Sequence, residues 1–251
     1  MPSRHTTDAL FLDVDGTILD IAPTPNAVHV PDYLTELLHQ VWTMLGGGLA
    51  LISGRPLGDV DRLFAPHRFP GAGLHGYELR NRAGIVPALC IDANAVQRVH
   101  DACRTFVGNS PGILVEYKSC GAAIHYRLAP DAEHLVCDYA RSLLPQLDGS
   151  FQMLHGKSVC EIKPRGCSKG SSVLELMKSP PFIGRRPVYI GDDATDEDGF
   201  EVVNQLGGIS IRVGHEGASC AQQRFATIKD VHRLLAVLLR AKGAALARQR
   251  S

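Results

Sequence analysis

The sequence predicts an α/β protein: a parallel-sheet core with helices on both faces, and a smaller α+β unit inserted into it. Three observations carry this expectation. Apolar runs at Leu10–Leu12, Leu49–Ile52 and Pro187–Ile190 each stop abruptly at polar residues, as strands buried on both faces do. Segments with apolar residues at helical spacing follow them. Between residues 91 and 164 the rhythm changes to helix, hairpin, helix, hairpin, which is an α+β layer. The expected division is a core of residues 1–90 and 165–251 with an insert of 91–164.

The core opens with Leu10-Phe11-Leu12-Asp13-Val14-Asp15-Gly16-Thr17. Asp13 falls where a buried strand leaves its sheet, the usual place for ligands in open α/β sheets. Asp15 lies just beyond, and Gly16 lets the chain bend sharply. A carboxylate at a strand tip can act as nucleophile, metal ligand or both, and one two residues on can move a proton. Taken alone, Asp-x-Asp-Gly serves equally as strand-to-loop punctuation.

Pro23, Pro25 and Pro31 mark a loop from Ile21 to Pro31. Leu34, Leu37, Leu38 and Val41 fall at i, i+3, i+4, i+7, a helix stopped by Gly46-Gly47-Gly48. The strand Leu49–Ile52 ends at Ser53-Gly54-Arg55-Pro56, with Pro56 near the first position of a helix. The Ser53 hydroxyl and nearby N–H groups can hold a phosphate there, and Arg55 adds a bidentate fork. Ser53 alone is equally a helix cap. Gly71–Glu78 is glycine-rich and carries His75, but lacks the strand–turn–helix context of a dinucleotide site. A short hairpin of Tyr77–Asn81 with Ile85–Leu89 is expected instead.

In the insert, Val96, Val99, Cys103 and Phe106 mark one helix and Asp131–Leu144 another. Ile113–Lys118 pairs with Ala122–Leu128, and Phe151–His155 with Ser158–Lys163. Period-2 alternation puts Ile113, Val115, Tyr117, Ala122, Ile124, Tyr126, Cys160 and Ile162 on one sheet face. The other presents Glu116, Lys118, His125, Arg127 and Glu161, which also describes an ordinary solvated face.

Pro164–Gly170 returns the chain to the core, where a helix turns Val173, Leu174 and Met177 inward. Lys169 starts that helix, a poor place for a cation on dipole grounds. Neutralising a bound phosphate is a sufficient reason; an exposed lysine is the alternative. The strand Pro187–Ile190 ends in Gly191-Asp192-Asp193-Ala194-Thr195-Asp196-Glu197-Asp198. So many acids at a strand tip cost energy unless a cation is bound. Thr195 with Asp198 resembles a capping box, which leaves Asp192 and Asp193 as the better metal candidates. Hard oxygen ligands favour Mg²⁺. Gly208–Val213 is the last strand. A final helix aligns Val231, Leu234, Leu235, Leu238 and Leu239, and the tail after Gly243 is expected to fray.

Of the 251 residues, 45% are hydrophobic and 21% charged, with 26 positive and 26 negative side chains. No broad field favours nucleic acid or an anionic membrane. No apolar run is long enough to span a bilayer, and Met1–Asp8 has no signal-peptide core. Seven cysteines without a C-x-x-C read as buried free thiols in a reducing cytoplasm, not as a disulfide frame or zinc site.

Asp13-x-Asp15-Gly-Thr, Ser53, Lys169 and Gly-Asp192-Asp193-x-x-Asp196 stand in order. This set resembles the haloacid-dehalogenase-type phosphatases. LDVDGTILDIAPTPNAVHVP, SGRPL, GLHGYELR, VEYKSCGAAIHYR, GKSVCEIKPRGCSKG and GDDATDEDGF narrow the resemblance to the trehalose-6-phosphate phosphatases. The resemblance implies a Rossmann-like core with a mobile α/β cap. It implies Asp13 as nucleophile and Asp15 as general acid and then base. Mg²⁺ is then held by Asp13, the Asp15 carbonyl and Asp192, oriented by Asp193 and Asp196. Ser53 and Lys169 hold phosphoryl oxygens, and Arg55 also contacts substrate. Glu116, Lys118 and Glu161 match sugar-binding positions, with Arg127, His125 and Lys157 weaker matches. The implied reaction converts trehalose 6-phosphate to trehalose and phosphate, the last step of trehalose biosynthesis, in a cytoplasmic monomer without nucleic-acid or membrane partners. Cys120-Gly121 in the insert hairpin departs from the family pattern, and no extra synthase domain is expected. Two rivals remain: a phosphatase of the same fold acting on another sugar phosphate such as sucrose phosphate, and a signalling receiver that accepts phosphate on aspartate without turnover.

Overall fold

The computed structural model describes residues 8–22, 24, 27–81, 84–108, 110–147, 149–215 and 217–248. The expected N-terminal segment 1–7 and the loop prolines 23 and 25 lie outside them. In chain order the first elements are β1 (Asp8–Asp13), α1 (Asp32–Met44), β2 (Leu49–Ile52), α2 (Leu57–Leu63), β3 (Gly71–Gly73), β4 (Glu78–Asn81) and β5 (Gly84–Pro87). Then come α3 (Ala93–Val107), β6 (Leu114–Lys118), β7 (Gly121–His125), α4 (Glu133–Leu143), β8 (Phe151–Gly156) and β9 (Val159–Pro164). The chain closes with α5 (Lys169–Met177), β10 (Arg186–Gly191), α6 (Glu197–Gln205), β11 (Ile209–Val213), β12 (Gln223–Phe225) and α7 (Ile228–Arg248). Two compact units result: residues 1–86 with 168–251, and residues 87–167.

The first unit holds an eight-stranded sheet in the order β12-β11-β10-β1-β2-β3-β4-β5. β12 through β3 run parallel to their neighbours, and β4 pairs antiparallel with β3. β1 is apolar on both faces because both faces are covered. Leu10 and Leu12 pack with Leu34, Leu38 and Val41 of α1 and Val231 and Leu235 of α7. Ala9 and Phe11 face the other way, toward Val173 and Leu176 of α5 and Phe200 and Val203 of α6. Asp13 pairs in register with Ile52, and Leu12 with Ile190. The carboxyl ends of β2, β1 and β10 therefore lie side by side. From β1 the chain goes to β2 on one side and later to β10 on the other, so β1 is a switch point where a crevice opens.

Several expectations need correction. Gly71–Gly73 is a strand, not merely a turn before a hairpin. A Cβ at Gly71 would lie 2.0 Å from the Leu51 carbonyl oxygen, so glycine is what lets β3 approach β2. Ile209–Val213 is not the last strand, because the short β12 follows it at the sheet edge. On α5 the buried face is Ser172, Val173 and Leu176, while Leu174 is exposed. The box before α6 uses Asp193 and Asp196 rather than Thr195 and Asp198. α7 continues past Gly243 to Arg248, as its Ala, Leu and Arg content favours. Cys90 and Cys220 are exposed, and the other five thiols are buried.

The second unit is a four-stranded antiparallel sheet, β6-β7-β9-β8. One face packs Ile124 and Ile162 against Val96, Val99 and Cys103 of α3 and Val136 and Ala140 of α4. On the other face, register places Glu116 opposite Ala123 and Ala123 opposite Glu161. This face is not simply solvated. Lys118 and Glu161 are 6% and 4% exposed and form an ion pair at 2.8 Å. Glu116 meets His125 Nε2 at 3.0 Å.

Candidate active site

Asp13 ends β1 and is almost fully buried. Its Oδ1 accepts a hydrogen bond from Lys169 Nζ at 2.7 Å, while its Oδ2 is buried with no hydrogen-bond partner among the described residues. A buried acceptor left like this costs roughly 1–3 kcal/mol unless something else meets it. Burial lifts the Asp13 carboxyl well above its usual range. Lys169 opposes that lift, and Asp196, Asp192 and Asp193 add to it.

Lys169 is not an exposed lysine. It is 3% exposed, and Nζ also reaches Asp196 Oδ1 at 2.7 Å. Burial lowers its affinity for a proton, but Asp13 and Asp196 outweigh that and hold it firmly charged. Ser168 caps the helix below it through the amide of Ser171. The helix therefore keeps its start despite a cation in its first position.

Asp196 is the hub of the acidic loop. Its Oδ2 accepts from the amides of Asp192 and Asp193, at 3.0 and 3.2 Å. Its Oδ1 accepts from Lys169 and from the Tyr189 hydroxyl, the latter at 2.8 Å. Asp193 Oδ1 accepts from the amide and hydroxyl of Thr195, at 2.8 and 2.7 Å. Burial raises the Asp193 pKa, but Lys169 and those Thr195 bonds overcome it, and the net shift is downward. Asp192 has less support. Thr17 Oγ1 donates to it at a long 3.4 Å. Burial, then Asp196 and Asp193, push its pKa up to about 7. Gly16 sits at φ +91°, and a Cβ there would lie 2.2 Å from Asp192 Oδ2. Any side chain at position 16 would therefore displace that carboxylate.

The oxygen donors suit a divalent cation. One carboxylate oxygen from each of Asp13, Asp192 and Asp196 lies within 4.8 Å of the others. Asp196 spends its oxygens on Lys169, Tyr189 and two amides, which leaves the Asp13 Oδ2 and the Asp192 carboxylate as the donors in need of a cation. Crowded carboxylates with all-oxygen donors match a hard ion.

Ser53 follows β2 and is 1% exposed; its Oγ accepts from the Arg55 amide at 3.1 Å. Arg55 grips Asp15 with both arms: Nε to Oδ2 at 2.6 Å and Nη2 to Oδ1 at 2.7 Å. Glu78 Oε2 accepts from the Leu57 amide at 2.6 Å, so one N–H at the start of α2 is already used. Leu74 and His75 adopt left-handed backbone at φ 51° and 50°, and the His75 amide donates to the Ser53 carbonyl. The first unit thus brings Asp13, Asp15, Ser53, Arg55, Lys169, Asp192, Asp193 and Asp196 to one edge of its sheet. The second unit carries Glu116, Lys118 and Glu161 together, while Arg127 bonds the Lys157 carbonyl at 3.1 Å. Sequence reasoning missed Tyr189, whose place in a buried strand gave no hint of a polar task. It also missed Gly16 as the spacer for Asp192.

Three comparisons bear on this site. The trehalose-phosphatase family matches residues 11–229. Over 230 residues the chain is 41% identical to the trehalose-6-phosphate phosphatase of Escherichia coli (strain K12), spanning 92% of this chain and 86% of that one. Over 206 residues it is 44% identical to a probable trehalose-phosphate phosphatase of Sinorhizobium fredii (strain NBRC 101917 / NGR234), spanning 82% and 77%. The fold superposes on the C-terminal domain of the C. albicans trehalose-6-phosphate phosphatase with a TM-score of 0.82 at 20% identity, covering 93% and 92%.

Proposed function

The chain belongs to the trehalose-phosphatase family, and on that premise we propose that it hydrolyses trehalose 6-phosphate to trehalose and phosphate through an aspartyl-phosphate. The observation that carries this is Asp13: a buried strand-tip carboxylate with one oxygen on Lys169 and the other unsatisfied. An oxygen of Asp13 attacks phosphorus as the bond to the sugar oxygen breaks. Asp15 gives that leaving oxygen its proton. Asp15 then takes a proton from water, whose oxygen attacks the phosphorus and releases Asp13. Lys169 and Ser53 hold the non-bridging phosphoryl oxygens. Phosphoryl transfer is mostly positioning and charge neutralisation, and these residues supply both.

Arg55 holds both Asp15 oxygens, so a proton on Asp15 competes with one of its bonds. A phosphoryl group offers Arg55 another partner. Substrate arrival is therefore what frees Asp15 to act as an acid. The metal would be Mg²⁺, which Asp13, the Asp15 carbonyl and Asp192 would hold, with Asp193 and Asp196 orienting that set, and it would supply charge neutralisation for the phosphoryl group. The hard oxygen donors support Mg²⁺ over a softer ion.

Residues 91–164 act as the specificity domain set into a catalytic core of 1–90 and 165–251. Glu116, Lys118, Glu161 and Arg127 bind sugar hydroxyls. The enzyme works as a cytoplasmic monomer with no nucleic-acid or membrane partner; balanced charge, which gives no broad attraction to anionic partners, supports the last part, and no described helix is long and apolar enough to cross a membrane. The test is turnover across trehalose 6-phosphate, sucrose phosphate and simpler sugar phosphates, with and without Mg²⁺. Mg²⁺-dependent preference for trehalose 6-phosphate is expected. Faster release from sucrose phosphate overturns the substrate. Unchanged phosphate handling in Asp15→Asn would indicate a receiver, because turnover needs that proton carrier.

A further inference from the structure

Away from the carboxylates, α4, β8 and β9 bring a second donor cluster together. Cys137 of α4, His155 of β8 and Cys160 of β9 each offer a ligand atom, and these lie within 4.8 Å of one another. Both thiols are buried and His155 is exposed. The arrangement follows from register. His155 and Cys160 are directly opposed across the β8–β9 ladder, as a cross-strand pair. Glu133 lies one helical turn before Cys137, so both project from one face of α4. Glu133 Oε1 stands 3.2 Å from His155 Nε2, and the Tyr126 hydroxyl stands 2.8 Å from the same nitrogen.

We propose that Cys137, Cys160, His155 and Glu133 form a closed site for a thiophilic divalent cation of the Zn²⁺ class, distinct from the carboxylate site for the hard ion. Two sulfurs, one imidazole nitrogen and one carboxylate oxygen are a four-ligand set that zinc takes tetrahedrally. With Zn–S near about 2.3 Å, tetrahedral donors stand about 3.7 Å apart, so Cys137, His155 and Cys160 must draw together by about 1 Å, and Glu133 swings in from beside His155 to complete the set. His155 takes the neutral tautomer with its proton on Nδ1, so that the Nε2 lone pair faces the ion, while Tyr126 keeps its own hydroxyl hydrogen. Both thiol protons pass to solvent as the sulfurs become thiolates. Tyr126 is left beside the site as a hydroxyl partner for a ligand oxygen.

The cysteine spacing of the sequence could not show this, because the ligands come from three separate elements. The bound ion ties α4 to β8 and β9. It therefore braces the strand that carries Glu161, whose side chain points to the opposite face from Cys160.

The experiment uses the full chain, reduced with a non-chelating reductant, with excess Mg²⁺ to occupy the carboxylate site. Titration with Co²⁺ is expected to give one ion per chain with near-ultraviolet thiolate-to-cobalt absorption and tetrahedral visible bands. One equivalent of Zn²⁺ should then abolish those bands and raise Tm, and each ion should release about two protons. His155→Ala, an exposed change that spares the core, should weaken Co²⁺ binding at least tenfold. Cys137→Ala and Cys160→Ala should each reduce the thiolate absorption. Absence of thiolate absorption in the folded wild-type chain overturns the proposal. So does full retention of it in the Cys137→Ala/Cys160→Ala double variant, which would assign the signal to other cysteines.

Discussion

Each unit buries a lysine against carboxylate, and the two settings differ in charge balance. In the first unit, Lys169 faces Asp13 and Asp196, with Asp192 and Asp193 close behind, and one Asp13 oxygen stays unmet. In the second, Lys118 is paired with Glu161, and Glu116 is hydrogen-bonded to His125. A surplus of buried negative charge is costly unless a cation joins it. A matched pair offsets part of that cost within itself. On the proposed function, the surplus is what a metal ion and a phosphoryl group would meet, and the paired face of the second unit is where a neutral, hydroxyl-rich group would find donors and acceptors without net charge.

The largest expected effect falls on the unbalanced site. Asp13→Asn removes the attacking carboxylate and should lower kcat by at least about 10⁴-fold on every phosphate ester, with far-ultraviolet circular dichroism unchanged. Full activity in this variant would break the account of the first unit entirely.

Lys169→Met comes next and tests the charge balance directly. Removing the ammonium leaves Asp13 and Asp196 buried without their cation. Breaking a buried pair in this way costs about 3–5 kcal/mol. Denaturant unfolding of the metal-free protein should show that loss, and activity should fall with it. Saturating Mg²⁺ should restore part of the stability but not the activity. Wild-type stability in the variant would mean the acidic cluster is not held together by Lys169.

These two sites were unequally legible in the sequence. Asp13, Ser53, Lys169 and Asp192 could be read because each ends or starts an element that announces itself. Strands covered on both faces, such as Leu10–Leu12 and Pro187–Ile190, leave unbroken apolar runs. β3 left none, since Gly71-Ala72-Gly73 succeeds by close approach rather than by apolar surface. β12 is three residues at an edge, too short to carry a pattern. On α5 the expected inward set Val173, Leu174 and Met177 holds Leu174 three residues before Met177, but Leu176, three residues after Val173, is the one that packs with Phe11 and Phe200. Partnerships were the least legible. Nothing local tells Arg55 to grip Asp15, Tyr189 to donate to Asp196, or Lys118 to pair with Glu161 across 43 residues.

Glu161→Gln should separate the two units' roles. It neutralises one side of the matched pair and leaves the carboxylate cluster untouched. KM for trehalose 6-phosphate should rise about tenfold or more, while hydrolysis of a small aryl phosphate changes little. Equal losses on both substrates would show that the charged face of the second unit is not a sugar-recognition surface.

The smallest effect concerns Glu116 and sharpens the comparison from the acid side. Burial pushes its pKa up, but the hydrogen bond from His125 and the charges of Lys118 and His125 pull it below 4.5 overall. A folded-state pKa below the unfolded one means the unfolded chain binds the proton more readily. The stabilisation is then fully present above about pH 4.5 and is lost as pH falls through the depressed folded value. The side chain is 31% exposed, so solvent trims the effect. Glu116→Gln should lower Tm slightly at neutral pH and flatten the acid limb of Tm against pH relative to wild type. Asp192 has the opposite sign: its raised pKa makes the metal-free protein lose stability as pH rises from about 4 toward about 7. A flattened acid limb in Glu116→Gln, with the Asp192 trend intact, would show that the two units titrate as separate systems, one balanced and one not. Superimposable acid limbs would remove Glu116 from the matched set.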